Sequence, residues 1–233
     1  MDKRFFLAAV ALCATIVFAV PLRAKEKTKI MPEYEPEIIK LPEPKHDSST
    51  SVEEALLKRR SVRDFKDKPV TLSEVSQLLW AAQGITGGGG YRTAPSAGAL
   101  YPLELYIVAG NVNGLPAGIY KYRPKSHELL SIVKGDMRID LCNAALGQSS
   151  VRRAAAVVVL SGVYERTTTK YGERGIRYVH MEAGHAAQNV SLQAVPLGLG
   201  TVVIGAFRDE EIKRMLKMED RERPLYIMPI GRR

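Results

Sequence analysis

Residues Ala154 to Leu160 form an unbroken apolar run, which restricts the possible folds more than any other feature of this sequence. A short run without polar side chains is typical of a strand that is buried on both faces. We therefore expect a buried strand at this position. The other predicted strands are 103–108, 118–122, 129–133, 201–204 and 225–230.

Two segments carry the signature of a helix start. Ser51 and Thr71 each stand three residues before a glutamate, Glu54 and Glu74, which is the spacing of a capping box. The longest predicted helix carries mainly small residues on its inward face, so it can pack closely against another helix. Because helices and strands mix without a regular strand–helix–strand rhythm, the predicted fold class is α+β. The predicted helices are 52–60, 72–83, 139–146, 176–195 and 210–216.

The composition is that of one globular domain with an extension. The chain has 233 residues, of which 45% are hydrophobic and 25% are charged, and a chain of this length can bury a full core. These totals exclude a disordered chain, a multi-span membrane protein and a small disulfide-stapled domain. The net charge of +9 is spread along the chain in short basic runs, so nucleic-acid binding is not favoured.

Disulfide and metal chemistry are also disfavoured. Cys13 lies in the apolar N-terminal stretch, so Cys142 is the one cysteine expected in a processed chain. One cysteine closes no intramolecular disulfide, and two make no cysteine zinc cage. His180 and His185 are five residues apart, whereas helical metal-binding pairs prefer a spacing of four. We therefore predict no metal site, and we expect His185 to pack or hydrogen-bond within the core.

The N-terminus has the pattern of a secretory signal. Lys3 and Arg4 precede a long charge-free stretch, and a short basic region before an apolar core is typical of signal peptides. Small residues allow cleavage after Ala19 or after Ala24. We expect residues 1–24 to be removed and the protein to be exported to a periplasmic or other extracytoplasmic space. An uncleaved membrane anchor is the alternative.

Residues 25–50 differ in composition from the rest of the chain. They contain four prolines and mostly polar side chains, which make a poor core. This composition predicts a linker, or a strap that lies on the surface. The folded domain is expected to span residues 51–233.

Three segments have residue types suited to an anionic, planar ligand. The segment 59–63 holds three arginines and a serine at the end of the first predicted helix, and guanidinium groups bind phosphate oxygens in pairs. The segments 93–102 and 196–201 are rich in small residues that let the backbone approach a flat ligand. For each segment the alternative is purely structural: a solvated helix end, an N-cap or a C-cap turn.

Lys170 and Tyr171 form a fourth candidate site. A lysine beside a tyrosine can act as an acid–base pair in catalysis. The alternative is an ordinary surface loop, which the pair alone does not exclude.

Taken in order, these motifs resemble the FMN-dependent nitroreductase superfamily, and the resemblance extends from about Ser51 to the C-terminus. Two of the motifs are similar to the SagB/ThcOx branch, the azoline dehydrogenases of peptide natural products. Several ordered motifs are more specific than any one of them, and they favour the functional interpretation of the first three segments. The motifs are Arg-Arg-Ser-x-Arg-x-Phe (59–65), Leu-Leu-Trp-Ala-Ala-Gln-Gly (78–84), Ala-Pro-Ser-Ala-Gly-Ala-Leu-Tyr-Pro (94–102), Gly-Ile-Tyr-Lys-Tyr (118–122), Lys-Tyr-Gly-Glu-Arg-Gly-Ile-Arg-Tyr (170–178), Glu-Ala-Gly-His (182–185), Gly-Leu-Gly-Thr (198–201) and Pro-Ile-Gly-Arg (229–232).

The resemblance implies a nitroreductase fold, in which a central, mostly antiparallel sheet is flanked by helices. It also implies a homodimer with FMN at the subunit interface. The implied cofactor-binding residues are Arg59, Arg60, Ser61, Arg63 and Arg232 around the phosphate and ribityl chain, Pro95, Ser96, Ala97 and Gly98 in the loop that the second subunit lays against the flavin, and Leu199 and Gly200 at the N5 edge of the ring.

Lys170 and Tyr171 resemble the lysine–tyrosine pair of the azoline dehydrogenases. There the pair is thought to deprotonate a small-molecule substrate while a hydride moves to the flavin. The implied cycle has two steps, with NAD(P)H as a candidate electron donor. An export signal departs from the cytosolic enzymes of that pathway, so the azoline substrate is not implied here. A non-catalytic flavin-binding protein and a basic exported protein that binds an acidic surface are the alternative functions.

Overall fold

The computed structural model describes residues 37–233, so the predicted signal peptide and residues 25–36 of the predicted linker lie outside it. This described part of the chain contains nine strands: β1 (Ile38–Lys40), β2 (Val70–Thr71), β3 (Leu103–Ala109), β4 (Val112–Asn113), β5 (Gly118–Arg123), β6 (Glu128–Lys134), β7 (Ala156–Val163), β8 (Leu199–Thr201) and β9 (Glu222–Arg232). Seven of them form one sheet in the order β1-β6-β5-β3-β7-β9-β8. All its neighbouring pairs are antiparallel, whereas β2 and β4 form a separate parallel pair.

The strand predicted from the apolar run is β7, and it lies near the centre of the sheet between β3 and β9. All eight of its residues are buried. Because both faces of β7 are covered by protein, neither face needs polar side chains. The prediction of a buried strand is therefore confirmed, with a start two residues later than expected.

Helices cover both faces of the sheet. They are α1 (Val52–Lys58), α2 (Leu72–Gln83), α3 (Arg138–Ala144), α4 (Ser149–Arg153), α5 (Glu165–Tyr171), α6 (Arg174–Gln193) and α7 (Asp209–Met215). One core cluster packs Leu105 and Ile107 of the sheet against α2 and α6. The other packs Tyr106 and Val159 against α3, α4 and α7. The predicted α+β class, with a mostly antiparallel sheet flanked by helices, is confirmed. Among residues 37–233, no helix combines the length and apolar character needed to cross a bilayer.

The two predicted capping boxes differ in the structure. The box at α2 is complete, because Glu74 N–H donates to Thr71 Oγ1 (3.3 Å) and Thr71 N–H donates to a carboxylate oxygen of Glu74 (2.8 Å). At α1, Ser51 Oγ accepts from Glu54 N–H, but the Glu54 carboxylate pairs with Lys58 instead. The helix α1 also ends at Lys58, two residues before the predicted end.

The folded domain begins earlier than the predicted boundary at Ser51. The strand β1 pairs with β6, and Leu41 is buried in the core. Further along, Ser76 and His127 hydrogen-bond to the carbonyl of Pro42. Backbone pairing and apolar burial therefore attach residues 37–50 to the domain as a strap. This agrees with one of the two predictions for the segment, a surface strap, and not with the other, a linker.

Candidate active site

The arginine-rich segment lies beside β8, the strand at one edge of the sheet. Val62 N–H donates to the carbonyl of Thr201 (2.9 Å), and Lys66 N–H donates to the carbonyl of Arg232 (3.0 Å). Within the sheet, Leu199 of β8 pairs with Arg232 of β9. Backbone pairing thus brings together three segments that are distant in sequence: 59–66, 199–201 and 231–232. We call this group of residues the basic edge.

Two glycines allow these segments to approach. A Cβ added to Gly200 would lie 2.7 Å from Cβ of Val62, and one added to Gly231 would lie 2.5 Å from Cγ of Phe65. Both distances are far shorter than a van der Waals contact. The segments can therefore pack this closely only because residues 200 and 231 are glycines. The predicted strand 201–204 is shifted to 199–201 because only Leu199–Thr201 continue the pairing with β9, while Ile204 makes a single bridge to Ile227.

The arginines of the basic edge differ in what they contact. Arg60 caps the end of α1, since its guanidinium donates to the carbonyls of Leu57 (2.8 Å) and Arg59 (2.7 Å). Arg59 is half-buried and Arg63 is exposed. Within residues 37–233 neither of these two guanidiniums has an ion-pair or hydrogen-bond partner, and Ser61 beside them is exposed. The charges of Arg59 and Arg63 are therefore available to an anion.

Arg232 has a different environment from the one its predicted role requires. Its guanidinium forms a bidentate ion pair with the Glu74 carboxylate (2.6 and 2.8 Å). It also donates to the carbonyl of Pro69 (3.1 Å) and, at 3.5 Å, to that of Leu197. With its charge compensated by Glu74, Arg232 joins the end of β9 to the capped start of α2. The structure thus reveals a structural role that the sequence did not predict, and phosphate binding by Arg232 stays a prediction.

The second predicted segment forms a loop held by two helices. Thr93 N–H donates to the carbonyl of Gly84 (3.0 Å), and Asn189 of α6 donates to the carbonyl of Thr93 (3.2 Å). We call residues 93–102 the small-residue loop. Tyr101 N–H donates to Ser96 Oγ (2.9 Å), which closes the loop around a single 3₁₀ turn at Ala97–Ala99.

Three residues of the small-residue loop have left-handed backbone conformations. The φ angles are +64° at Gly98, +54° at Ala99 and +46° at Tyr101. Only glycine adopts this region without cost, and other residues are held there by their surroundings. The shape of the loop is therefore imposed by its contacts.

The candidate catalytic pair contacts this loop directly. A Cβ added to Gly98 would lie 2.8 Å from Tyr171 Oη and 3.0 Å from Lys170 Nζ. The pair ends the helix α5, so this segment is a helix end rather than the loop of the alternative interpretation, although Lys170 is exposed at the surface as that interpretation expects. Near the other end of α5, Arg166 donates to the carbonyl of Tyr101 (3.1 Å). The structure thus joins two site predictions, the loop and the Lys–Tyr pair, which the sequence separates by about seventy residues.

A buried polar chain beneath the loop was missed by the sequence analysis. Arg92 donates to the side-chain oxygen of Gln83 (2.8 Å), and the Gln83 amide donates to Glu182 at 3.5 Å. The Arg92 guanidinium stacks over the Tyr101 ring, with its central carbon 4.5 Å from the ring centroid. The signal was present in the sequence, since Glu182 is a charged residue within the inward stripe of α6.

Burial shifts the proton affinities of two of these groups. It raises the pKa of Glu182 to about 7, against the opposing effects of Ser96, Gln83 and Arg92. Burial also lowers the pKa of Arg92, while Glu104 and Glu182 raise it. A buried carboxyl with a pKa near neutrality is often found at functional sites.

The histidines take no part in a metal site. Among residues 37–233 no group of His, Cys, Asp and Glu is arranged to hold a metal ion. His180 shares a 2.6 Å hydrogen bond with the hydroxyl of Tyr164. His185 is exposed, so its predicted packing in the core is wrong. The five-residue spacing places the two histidines too far around α6 to share a ligand.

The basic edge and the small-residue loop are separate groups within one chain. No hydrogen bond within residues 37–233 connects them. Lys170 and Tyr171 lie with the loop rather than with the arginines. The candidate residues therefore form two separate groups within residues 37–233.

Comparisons with known proteins identify the family of this chain. The sequence model of the Nitroreductase family matches residues 56–232, which include every candidate site residue. A protein of Methanocaldococcus jannaschii, provisionally named a nitroreductase, is 50% identical over 78% of this chain and 91% of its own length. The NADPH-dependent FMN reductase of Bacillus subtilis is 25% identical over 76% of this chain and 64% of its own.

Two further comparisons concern the branch and the fold. The microcin B17-processing protein McbC of Escherichia coli is 28% identical over 72% of this chain and 65% of its own length. A crystal structure from Ralstonia eutropha, also provisionally named a nitroreductase, superposes with a TM-score of 0.74 at 30% identity, over 84% of this chain and 89% of that chain. This chain therefore belongs to the nitroreductase family, within which it resembles the SagB/ThcOx-type branch.

Proposed function

We propose that this protein is an FMN-dependent oxidoreductase that works as a homodimer. The observation that carries the proposal is the division of the site: uncompensated arginines at the basic edge, and a Lys–Tyr pair at the end of α5 that lies against the small-residue loop. An FMN reductase among the relatives supports the choice of flavin. Membership of the nitroreductase family supports oxidoreductase chemistry.

The basic edge suits the phosphate end of FMN. Arg59 and Arg63 provide two cationic forks, and Ser61 provides a hydroxyl between them. Each charge-assisted hydrogen bond to a phosphate contributes about 1.5–3 kcal/mol. Leu199 and Gly200 lie beside these residues, so their backbone would face the ring.

The dimer is supported by unpartnered apolar side chains on two helices. Leu57 of α1 is 71% exposed and Val52 is 66% exposed. Ile176 and Met181 of α6 are also exposed. A second copy of this chain would cover these side chains and bring its small-residue loop to the basic edge. The proposed dimer therefore completes a site that one chain leaves in two parts.

A dimer of this kind is tested by the mass of the protein in solution. Leu57→Glu should convert the dimer to a monomer, because it places a charge in the proposed interface. Ile139→Glu is the matched control, since Ile139 is 63% exposed on α3, away from α1. Light scattering on a sizing column distinguishes the two variants. Equal masses for both would argue against α1 as part of the interface.

When bound, FMN would supply the hydride chemistry, and the chain supplies binding and proton transfer. Lys170 Nζ and Tyr171 Oη, which both face Gly98, would hold or accept a proton of a small-molecule substrate. The match to a microcin-processing protein supports the dehydrogenase direction, whereas the match to an NADPH-dependent reductase supports NAD(P)H as donor.

A visible spectrum of the purified protein tests the flavin. We expect yellow protein that releases FMN on heating. Arg59→Ala should weaken FMN binding by about 1.5–3 kcal/mol, the contribution of a charge-assisted bond, while Arg214→Ala, on the exposed side of α7, should leave it unchanged. A colourless wild-type protein that ignores added FMN would exclude this function. Bound flavin that no electron donor bleaches would favour the non-catalytic alternative.

We also propose that the chain is exported, because of the signal pattern at its N-terminus. N-terminal sequencing of the protein from cell fractions tests this. A mature protein that starts after Ala19 or Ala24 is the expected result. An intact Met1 in a membrane fraction would support the uncleaved anchor instead.

A further inference from the structure

One arginine of α5 has no part in the function described so far. Arg166 lies four residues before Lys170 in a helix of seven residues, and this spacing places the two side chains on the same side of the helix. The Arg166 guanidinium donates to the carbonyl of Tyr101 (3.1 Å) and to the carboxylate of Glu104. Tyr101 lies near the end of the small-residue loop, and Glu104 lies in β3 just after it. A single side chain thus ties α5 to the loop and to the strand that follows the loop.

The carbonyl that accepts from Arg166 belongs to a residue in an unfavourable conformation. Tyr101 has a φ angle of +46°, and a residue with a side chain stays in this region only when its surroundings hold it there. Its N–H donates to Ser96 Oγ (2.9 Å), while its carbonyl accepts from Arg166. Hydrogen bonds from an ionised donor are about twice as strong as neutral ones. Arg166 therefore provides the stronger of the two bonds at this turn.

The carboxylate of Glu104 is itself held from within the sheet. Lys121 Nζ lies 3.4 Å from a carboxylate oxygen of Glu104 and donates to Glu222 (2.6 Å). Glu222 is 1% exposed, and it also accepts from the hydroxyls of Tyr106 (2.7 Å) and Ser161 (3.0 Å). These five residues belong to the neighbouring strands β3, β5, β7 and β9. Glu104 therefore presents its carboxylate to α5 from a position that the sheet fixes.

The other end of α5 carries the candidate catalytic pair, Lys170 and Tyr171, which lies against Gly98 of the loop. The helix is short and contains three threonines, so its own propensity does not fix its place in the fold. Its contacts with the small-residue loop are at two points, Tyr101 near the start of the helix and Gly98 at its end. Of these two contacts, the one at Tyr101 is a charge-assisted bond.

We propose that Arg166 is a positioning residue, which holds α5 against the small-residue loop and so keeps Lys170 and Tyr171 beside Gly98. The inference rests on the proposed function for the catalytic role of the Lys–Tyr pair. The structural part concerns only this chain, and it is measurable without flavin.

Hydrogen exchange of the flavin-free protein tests the structural part. Tyr101 N–H donates to Ser96 Oγ in the loop, and Gly172 N–H donates to the Thr168 carbonyl (2.7 Å) at the end of α5. Arg166→Ala should speed exchange at both amides by about tenfold, the equivalent of one lost hydrogen bond. Arg166→Lys should fall between the wild type and Arg166→Ala, because an ammonium keeps the charge but lacks the fork that reaches both acceptors.

Arg123→Ala is the matched control. Arg123 is also a partly exposed arginine in an ion pair, with Glu128 at 3.3 Å, but it lies at the end of β5. It should leave exchange at Tyr101 and Gly172 unchanged. If Arg166→Ala does not fold, Arg166→Lys is measured in its place. Exchange at both amides equal to that of the wild type, in the variant measured, would overturn the proposal.

Turnover of the FMN-loaded protein tests the consequence for catalysis, with NADPH as the electron donor and 4-nitrobenzoate as the acceptor probe. Arg166→Ala should lower kcat by about tenfold, while the KM for the probe and the Kd for FMN change little. A residue that acts through the pair loses its effect once the pair is removed. In a Lys170→Ala background, Arg166→Ala should therefore lower kcat no further.

The double variant separates the two ways in which the reasoning can fail. Losses of kcat that add in Lys170→Ala with Arg166→Ala would show that Arg166 acts independently of the pair, and the positioning role would be wrong. If Lys170→Ala alone leaves kcat unchanged, or if the wild-type protein binds no FMN, the proposed function fails instead. Hydrogen exchange would still decide whether Arg166 holds α5 against the loop.

Discussion

The buried carboxyl of Glu182 predicts how the stability of this protein depends on pH. Its pKa is about 7 in the folded chain and 4.5 for an ordinary glutamate. The folded state therefore binds more protons than the unfolded state between these two values, and stability is lost as the pH rises through them. With about 1.4 kcal/mol for each pKa unit, wild-type protein loses about 2–3 kcal/mol from this group between pH 5 and pH 8.

Glu182→Gln removes the ionisation and keeps the shape of the side chain. The free energy of unfolding of the variant, relative to wild type, should therefore increase by about 2–3 kcal/mol from pH 5 to pH 8. Urea denaturation of both flavin-free proteins at equal concentration measures the difference, and the other titrating groups cancel between them. A relative stability that changes by less than about 1 kcal/mol over this range would show that Glu182 is charged and well compensated in the folded protein.

Two more predictions concern single residues on the two sides of the site. Gly98→Ala should lower kcat by about tenfold or more, because the added Cβ would lie 2.8 Å from Tyr171 Oη and a left-handed alanine costs about 1–2 kcal/mol; steady-state kinetics that match wild type would contradict this. Arg232→Gln should lower the free energy of unfolding by about 1.5–3 kcal/mol, since its guanidinium is paired with Glu74, and should change the Kd for FMN little. Urea denaturation and FMN titration check both effects, and weak FMN binding at unchanged stability would assign Arg232 to the phosphate.

Local signals in the sequence predicted the helices and strands whose formation depends mainly on the residues within them. The apolar run became β7 because its burial is continuous, and the box at Thr71 became the complete N-cap of α2. The helix α5 was missed, because Glu165–Tyr171 contains three threonines, which have low helix propensity. Its packing against α6 and the bond from Arg166 to Tyr101 stabilise it instead.

Ion-pair partners were beyond the reach of the sequence. The motif at 229–232 predicts a basic residue for a phosphate, but it does not show that Glu74, the third helical residue of α2 and part of its capping box, pairs with the same guanidinium. Arg232 and Glu74 are far apart in sequence, and they meet only because the fold places the end of β9 beside the start of α2. The same holds for Glu182 and Gln83, whose pairing joins two helices.

Short motifs and apolar patterns predicted the family, the fold class and the residue types of the candidate site, because each depends on residues that are near one another in the sequence. Only the folded chain shows which arginines lack an ion-pair partner among residues 37–233, and that the Lys–Tyr pair lies against the small-residue loop. Those facts depend on distances between segments that are remote along the chain, and such distances are set by sheet register and helix packing rather than by neighbouring residues.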